Sequence, residues 1–294
     1  MPADRKGTMN IPHTQQPSVA LLVHTCDRYQ FLYPGFSYFF NQYWDFNTQV
    51  KYYFATEEAD VDIPHFTTIK SGKGEWADRL RYLLQHQIQE PYVLYFQEDM
   101  WLNKPVSSRF FNQLFALTLQ NHWQQVKLTS ADVYKTNATP QYIEGYNISK
   151  LDNATSGYLM SHQVTLWEKE FLIQQLHKGE HPWRNERKGT KRLKKLNPDI
   201  YHVDYFSENG QSANNNNQPQ AIPSEYHTVS VNSMLGSTVQ PYITALQQGN
   251  KEQQAYAMQL QNHYQNHLTH DGSEKPRKED VFKKLKNWFK KLVK

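Results

Sequence analysis

Two carboxylates stand side by side in Gln97-Glu98-Asp99, directly after the apolar run Tyr92-Val-Leu-Tyr-Phe96. Adjacent carboxylates where a buried strand ends suit a hard divalent cation or a ribose, and a diphosphate held there needs its charge neutralised. A second polar cluster, His24-Thr25-Cys26-Asp27-Arg28, closes another apolar run, Val19-Ala-Leu-Leu-Val23. Ligands of open α/β sheets bind in the crevice beyond the carboxyl ends of the strands, so Thr25, Asp27, Glu98 and Asp99 are the first site candidates. Arg79, in Trp76-Ala-Asp-Arg79-Leu80, opens a helix ahead of the second run. Its guanidinium fork matches phosphate or carboxylate oxygens; a surface arginine paired with Asp78 or Glu75 is the alternative. His263, His267 and His270 have a spacing that can hold zinc, but no carboxylate or thiol joins them in a metal pattern, and a solvated helix face accounts for them.

The elements that must position these groups are legible as short runs. Apolar stretches at 19–23, 50–55, 66–69, 92–96 and 126–128 read as strands, the continuous ones buried on both faces. Helical stretches fall between them at 29–43, around Leu80-Leu83-Leu84-Ile88, and at 110–119. This alternation predicts an α/β fold, a mainly parallel Rossmann-like sheet flanked by helices. Further on, residues 143–151, 157–160 and 228–234 read as strands, and 164–176 as a helix. A polar loop, with four asparagines at 214–217, is expected over 206–223, and a Gln-rich helix over about 243–267. The implied organisation is a polar leader at 1–17, one domain at 18–245, a C-terminal helix at 246–270 and a basic tail at 271–294.

Composition narrows the function classes. The 294 residues are 38% hydrophobic and include 19 Tyr, 15 Phe and 7 Trp, enough for a large aromatic-rich core. No stretch approaches the roughly 18 apolar residues of a spanning helix, and the first eighteen residues carry no apolar signal-like segment. Cys26, the single cysteine, cannot form an internal disulfide, so a reducing, cytoplasmic compartment is expected. The net charge of +4 is uneven: residues 274–294 hold nine Lys/Arg against three Asp/Glu, which leaves the first 273 residues at −2. A whole-surface nucleic-acid footprint is therefore not expected. In the tail, Val281, Phe282, Leu285, Trp288, Phe289, Leu292 and Val293 share one helical face and lysines fill the rest, a pattern suited to lying in the interface of an anionic membrane.

Several blocks resemble those of a group of bacterial GT-A-type glycosyltransferases associated with surface polysaccharides such as capsule, O-antigen or lipopolysaccharide. Trp76-x-x-Arg79-Leu80 followed by Tyr92-Val-Leu-Tyr-Phe-Gln-Glu98-Asp99-Met-Trp-Leu102 is similar to that group's WSxRL and LEDFFL blocks. Thr25-Cys26-Asp27-Arg28-Tyr29, Tyr43-Trp44-Asp45, the stretch Leu159 to Leu172 and His181-Pro182-Trp183-Arg184-Asn185-Glu186 resemble further blocks, in the same order. The resemblance covers about residues 19–234. It implies a GT-A-like fold and a nucleotide-sugar-dependent transferase acting on a growing bacterial surface glycan. By position it implies Thr25, Asp27 and Arg79 toward the nucleotide donor, and Glu98 and Asp99 toward the diphosphate or a divalent cation. That cation is Mg or Mn, bound at Asp99 if a metal is used at all. It also puts Trp183 on the acceptor side and Glu186 at the acceptor as general base, with Asp132, after the 126–128 strand, in reserve. Arg184, Arg187 and Lys188 flank Glu186, and such neighbours lower a carboxyl pKa and weaken a base. The expected acceptor is lipid-linked or an oligosaccharide, met peripherally at the inner face of the cytoplasmic membrane. The rival reading is a membrane-docked adaptor without catalysis, which has no use for a diphosphate site.

Overall fold

Every residue of Val19–His24 is buried, as a strand covered on both faces requires, and its neighbours follow from that. The structure, a computed structural model, describes residues 17–213 and 223–274. The tail at 281–294, nearly all of the leader and the asparagine run 214–217 lie outside the described residues. In chain order the first strands and helices are β1 (Val19–His24), α1 (Tyr33–Tyr43), β2 (Lys51–Thr56), β3 (Thr67–Lys70), α2 (Trp76–His86) and β4 (Tyr92–Phe96). Next come β5 (Met100–Leu102), α3 (Ser108–Asn121), β6 (Gln125–Thr129), β7 (Thr136–Ile143) and β8 (Tyr146–Leu151). They are followed by β9 (Thr165–Glu168), α4 (Lys169–Gln175), α5 (Pro182–Leu196), β10 (Ile200–Glu208) and β11 (Ser224–Thr228). The described chain closes with β12 (Ser230–Val231), β13 (Met234–Leu235), α6 (Gln240–Gln247) and α7 (Lys251–Gln265).

The main sheet has the order β3-β2-β1-β4-β9-β6-β10-β11-β5, with the β7–β8 hairpin attached through β8 to β10. All but β9 and β5 on that path run one way, so the expected mainly parallel α/β sheet flanked by helices is the fold observed. Helices α1 and α3 cover one face with α6 and α7; α2, α4 and α5 cover the other.

Three registers decide what meets at the carboxyl edge. Val23 of β1 lies opposite Phe96 of β4, so the polar residues that follow both strands emerge side by side. The stretch expected as a helix from 164 is instead β9 followed by α4. Its four apolar-rich residues fit either period, and only pairing between β4 and β6 selects the strand. Because β9 runs antiparallel, its entry residues His162 and Gln163 arrive at the same edge where β1 and β4 leave. Finally, β5 pairs antiparallel with β11, with Met100 opposite Thr228, and this returns residues 228–233 to the Glu98–Asp99 turn.

Other expectations shift at boundaries. Strand β10 runs through Phe206, Ser207 and Glu208 into an Asn209-Gly210 turn, where a polar loop was expected to begin at 206. Residues 157–160 form no strand, and 143–151 holds the end of one strand, a Glu144-Gly145 turn and a second strand. The helix expected over 246–270 spans only 251–265, separated from α6 by Gly249. Its start is fixed by a reciprocal cap in which Asn250 Oδ1 accepts from the Gln253 amide at 3.0 Å and Gln253 Oε1 from the Asn250 amide at 2.8 Å.

Trp101 links the core to the carboxylate turn. Its indole is fully buried against Phe39, and its Nε1–H donates to the Glu98 carbonyl at 3.0 Å. Gly35 of α1 makes room for that indole, since a Cβ there would overlap the six-membered part of the ring. Gly35→Ala should therefore cost about 1–3 kcal/mol despite the gain in helix propensity, read as a lower urea midpoint with an unchanged m-value.

Candidate functional site

The carboxyl edge holds a cleft of about 540 Å³. Its walls come from His24 at the end of β1 with Thr25, Cys26, Arg28 and Tyr29 after it, Trp76 and Arg79 of α2, residues 97–100 after β4, His162 and Gln163 before β9, the start of α5, and Thr228, Ser230, Asn232 and Ser233. Thr25, Arg79, Glu98, Asp99, Trp183 and Glu186, distant in sequence, all line it.

Thr25 is buried; its hydroxyl donates to the Ala55 carbonyl at 2.9 Å and lies 2.6 Å from the Tyr33 hydroxyl. Arg79 is only 5% exposed, and its guanidinium is held by neither Asp78 nor Glu75. Nη1 donates to the Thr25 carbonyl at 3.0 Å and lies 3.6 Å from Glu57 Oε1, while Nε has no hydrogen-bond partner among the described residues. Asp78 instead accepts from the Gly179 amide at 3.1 Å.

Asp27 does not line the cleft. One of its oxygens accepts from the Glu57 amide at 2.8 Å; the other accepts from those of Glu58 and Ala59 at 2.8 and 2.9 Å. Glu57 reciprocates by accepting from the Asp27 amide at 3.0 Å. Asp27 thus clasps the ends of β1 and β2 together from outside the cleft. Asp132 also stays outside, exposed in the turn after β6. Burial pushes the Cys26 thiol up to about 11, which removes it as a nucleophile.

Glu98 is 4% exposed, and its Oε2 has no hydrogen-bond partner among the described residues. Burial and the neighbouring Asp99 hold its carboxyl well above the usual range. Asp99, at the same turn, is pushed up to about 7 by burial, with Glu208 adding repulsion. Its carbonyl accepts from the Val229 amide at 2.9 Å, tying the turn to the strand beyond β11. A buried carboxylate with an oxygen unspent beside a half-buried one forms a donor set that suits a divalent cation. Among the described residues no cluster of three or more Asp, Glu, His or Cys could hold a metal. Magnesium, however, is commonly held by one or two carboxylates with substrate phosphates completing the shell.

Glu186 corrects the expectation set by its sequence neighbours. The Arg184, Arg187 and Lys188 side chains lie on the exposed face of α5, whereas the Glu186 carboxylate turns inward and accepts from the His162 amide at 2.9 Å. Burial raises its pKa, the His162 amide and Lys127 oppose that rise, and Glu208 adds to it. The outcome is a better base than the flanking cations alone imply.

Sequence reasoning missed the polar floor beneath Glu186. Lys127, buried in β6, donates to Ser161 Oγ at 2.7 Å and lies 5.0 Å from the Tyr134 ring centre; burial brings it down to about 7. His162 is buried against Trp76, and burial brings it down to about 3, so its imidazole is neutral. A lysine in an otherwise strand-like Val-Lys-Leu run was the available signal. The histidines that attracted notice as a zinc pattern do other work: His263 stacks on Phe31 at 3.9 Å, and His270 bonds to Ser230 Oγ at 2.7 Å.

No protein-family model and no curated protein sequence matches this chain. Among solved structures, the chain is similar to S. aureus TarS 1–349 at 11% identity and a TM-score of 0.44, over 84% of this chain and 70% of that one. A longer TarS structure gives 12% identity and a TM-score of 0.43, with 84% of this chain covering 43% of its length. The TarS 1–349 complex with UDP gives 12% and 0.43, over 84% and 70%.

The Asp99 shift has a signed consequence for stability. An acid whose pKa is higher in the folded chain than in the unfolded one costs stability as pH rises through that interval. Asp99→Asn removes this cost. The variant's stability minus that of the parent should grow from about pH 4 to about pH 7 and then level, as measured by urea unfolding at several pH values without divalent cations.

Proposed function

We propose that this chain is a nucleotide-sugar-dependent glycosyltransferase that extends a bacterial surface glycan. The observation that carries the reading is one cleft in which a buried guanidinium, Arg79, and the carboxylate pair Glu98–Asp99 share walls with an inward-facing carboxylate, Glu186. The first three suit a donor diphosphate; the last suits an acceptor hydroxyl. The sequence blocks that carry Arg79, Glu98, Asp99 and Glu186 are also those that resemble the glycosyltransferase group.

In this reading Arg79 neutralises diphosphate charge, and Thr25 fixes the loop after β1 on which the nucleotide rests. Glu98 and Asp99 would hold a divalent cation, Mg or Mn, which when bound supplies positive charge for the leaving nucleoside diphosphate. Glu186 takes the proton of the acceptor hydroxyl as its oxygen bonds to the anomeric carbon and the carbon–oxygen bond to the diphosphate breaks. That single displacement inverts the anomeric centre. The His162 amide holds the Glu186 carboxylate in place, and Trp183, 67% exposed at the cleft mouth, offers a face for an acceptor sugar. The tail at 281–294 brings the enzyme to the inner face of the cytoplasmic membrane, where a lipid-linked acceptor is met.

Incubation with a panel of UDP-, GDP-, CMP- and dTDP-sugars, with and without Mg²⁺ or Mn²⁺, should release nucleotide from at least one donor. Absence of both binding and release across the panel would leave the adaptor reading in its place. With the responsive donor, Glu98→Ala/Asp99→Ala should abolish release while the fold persists; retained activity in EDTA would assign neutralisation to Arg79. Glu186→Gln should lower kcat by about a hundredfold with donor affinity little changed. The parent's kcat should rise with pH through a limb above 4.5, because the raised Glu186 pKa must be exceeded before the base is available, and the variant should lose that limb. If donor affinity falls and kcat does not, Glu186 is a binding residue. Truncation after Gly272 should weaken partition onto anionic vesicles and preserve donor hydrolysis.

A further inference from the structure

Helix α5 divides its residues by charge with little mixing. Arg184, Arg187, Lys188, Lys191, Lys194 and Lys195 are all exposed, and at 100° per residue they fill an arc of about 120°. The opposite face buries Asn185, Gly189 and Leu193. Glu186, the helix's acidic residue, is committed to the cleft, and Glu180 beside the helix is already held by Arg192 at 3.0 Å. Relief for the six cations is slight: Lys188 lies 3.9 Å from Glu180, and Lys194 donates to the Ala154 carbonyl at 3.0 Å.

Such a face costs the helix stability. Arg184–Lys188, Arg187–Lys191 and Lys191–Lys195 are like charges at i,i+4, where repulsion is unfavourable, and Arg184 stands in the first turn, where the helix dipole favours anions. A face that needed only solubility would alternate sign. The first 273 residues carry −2 in total, so the cations are a local concentration and no sample of a basic body. At the N-terminal end, next to the stripe and on the rim of the cleft, Trp183 is 67% exposed. A tryptophan beside a row of lysines and arginines matches the chemistry of a lipid–water boundary, where indole sits among headgroups and cations meet phosphates.

We propose that α5 is a docking face for an anionic lipid leaflet, with its cations on the headgroup phosphates and Trp183 at headgroup depth, so that the cleft opens toward the membrane. This contact is separate from the tail at 281–294, and it does not depend on the transferase reading, since a chain that transfers nothing can carry it.

The test uses the full chain and sedimentation with vesicles of phosphatidylcholine and phosphatidylglycerol at 7:3, at low salt. Arg187→Gln/Lys191→Gln/Lys195→Gln, all at exposed positions, should weaken partition by about tenfold or more, as three cations lost near an anionic surface require, and 0.5 M NaCl should erase the difference. Should the triple variant fold poorly by circular dichroism, Lys191→Gln alone should still weaken partition several-fold. Vesicles containing brominated phosphatidylcholine should quench part of the tryptophan emission of the parent, and Trp183→Phe should lose that part. Unchanged partition of the folded triple variant, or unchanged quenching in Trp183→Phe, would overturn the proposal. So would binding of heparin that the triple variant loses while its vesicle partition stays at the parental level, which would assign the face to a soluble polyanion.

Discussion

Burial of β1 on both faces and along both edges is the constraint from which the site follows. A strand locked in parallel register between β2 and β4 has one place to end, and Val23 opposite Phe96 makes that place common to β4. The chain must then turn outward twice at the same spot, and both turns are polar because a buried apolar turn would orphan backbone groups. Asp27 secures the first turn by accepting three amides of the segment after β2. Trp101 secures the second through the Glu98 carbonyl. The cleft is the space these two fixed turns leave between them.

The charges placed around that space are poorly compensated, and this is informative. Burying a carboxylate without a partner is costly, so natural cores avoid it unless a bound ligand or ion completes the set. Glu98, Asp99 and Glu186 all have raised pKa values with burial as the leading cause, and Glu208 adds repulsion to the last two. Arg79 and Lys127 stand near but do not pair with them within hydrogen-bonding distance. In the function proposed above, a bound cation would supply the missing positive charge, and part of the site's favourable energy would be realised only when it is occupied.

Helix α5 shows how one segment serves two environments. Its N-cap at His181 and Pro182 in the first turn fix where it starts, and Gly189 lets it lie close against Met160. That closeness brings Glu186 within reach of the His162 amide. The same rotation turns every unpaired cation outward. Inward and outward faces are therefore set by a single packing decision, and altering the seat at Gly189 would move both.

Class, most elements of the first half of the chain and much of the site were legible in the sequence, because apolar runs of strand length followed by clustered polar residues report local burial directly; α5 (Pro182–Leu196) and β10 (Ile200–Glu208) were not. Val19–Val23 and Tyr92–Phe96 are strands, and Thr25, Arg79, Glu98, Asp99 and Glu186 do share one cleft. What the sequence could not carry depends on partners distant along the chain. Residues 165–168 are a strand because β4 and β6 offer edges to pair with, although their composition suits a helix equally well. The clasp that Asp27 makes is hidden in the sequence, since the amides it satisfies come from thirty residues away. Glu186 reads as a carboxylate among cations, yet its titration is governed by burial and by His162, Lys127 and Glu208, which adjoin it only once the sheet and α5 have packed. Local periodicity fixes the long apolar strands and where they end, whereas the pairing of short segments and the dielectric surroundings and partners of a side chain are properties of the assembled layers, and those only the tertiary structure decided.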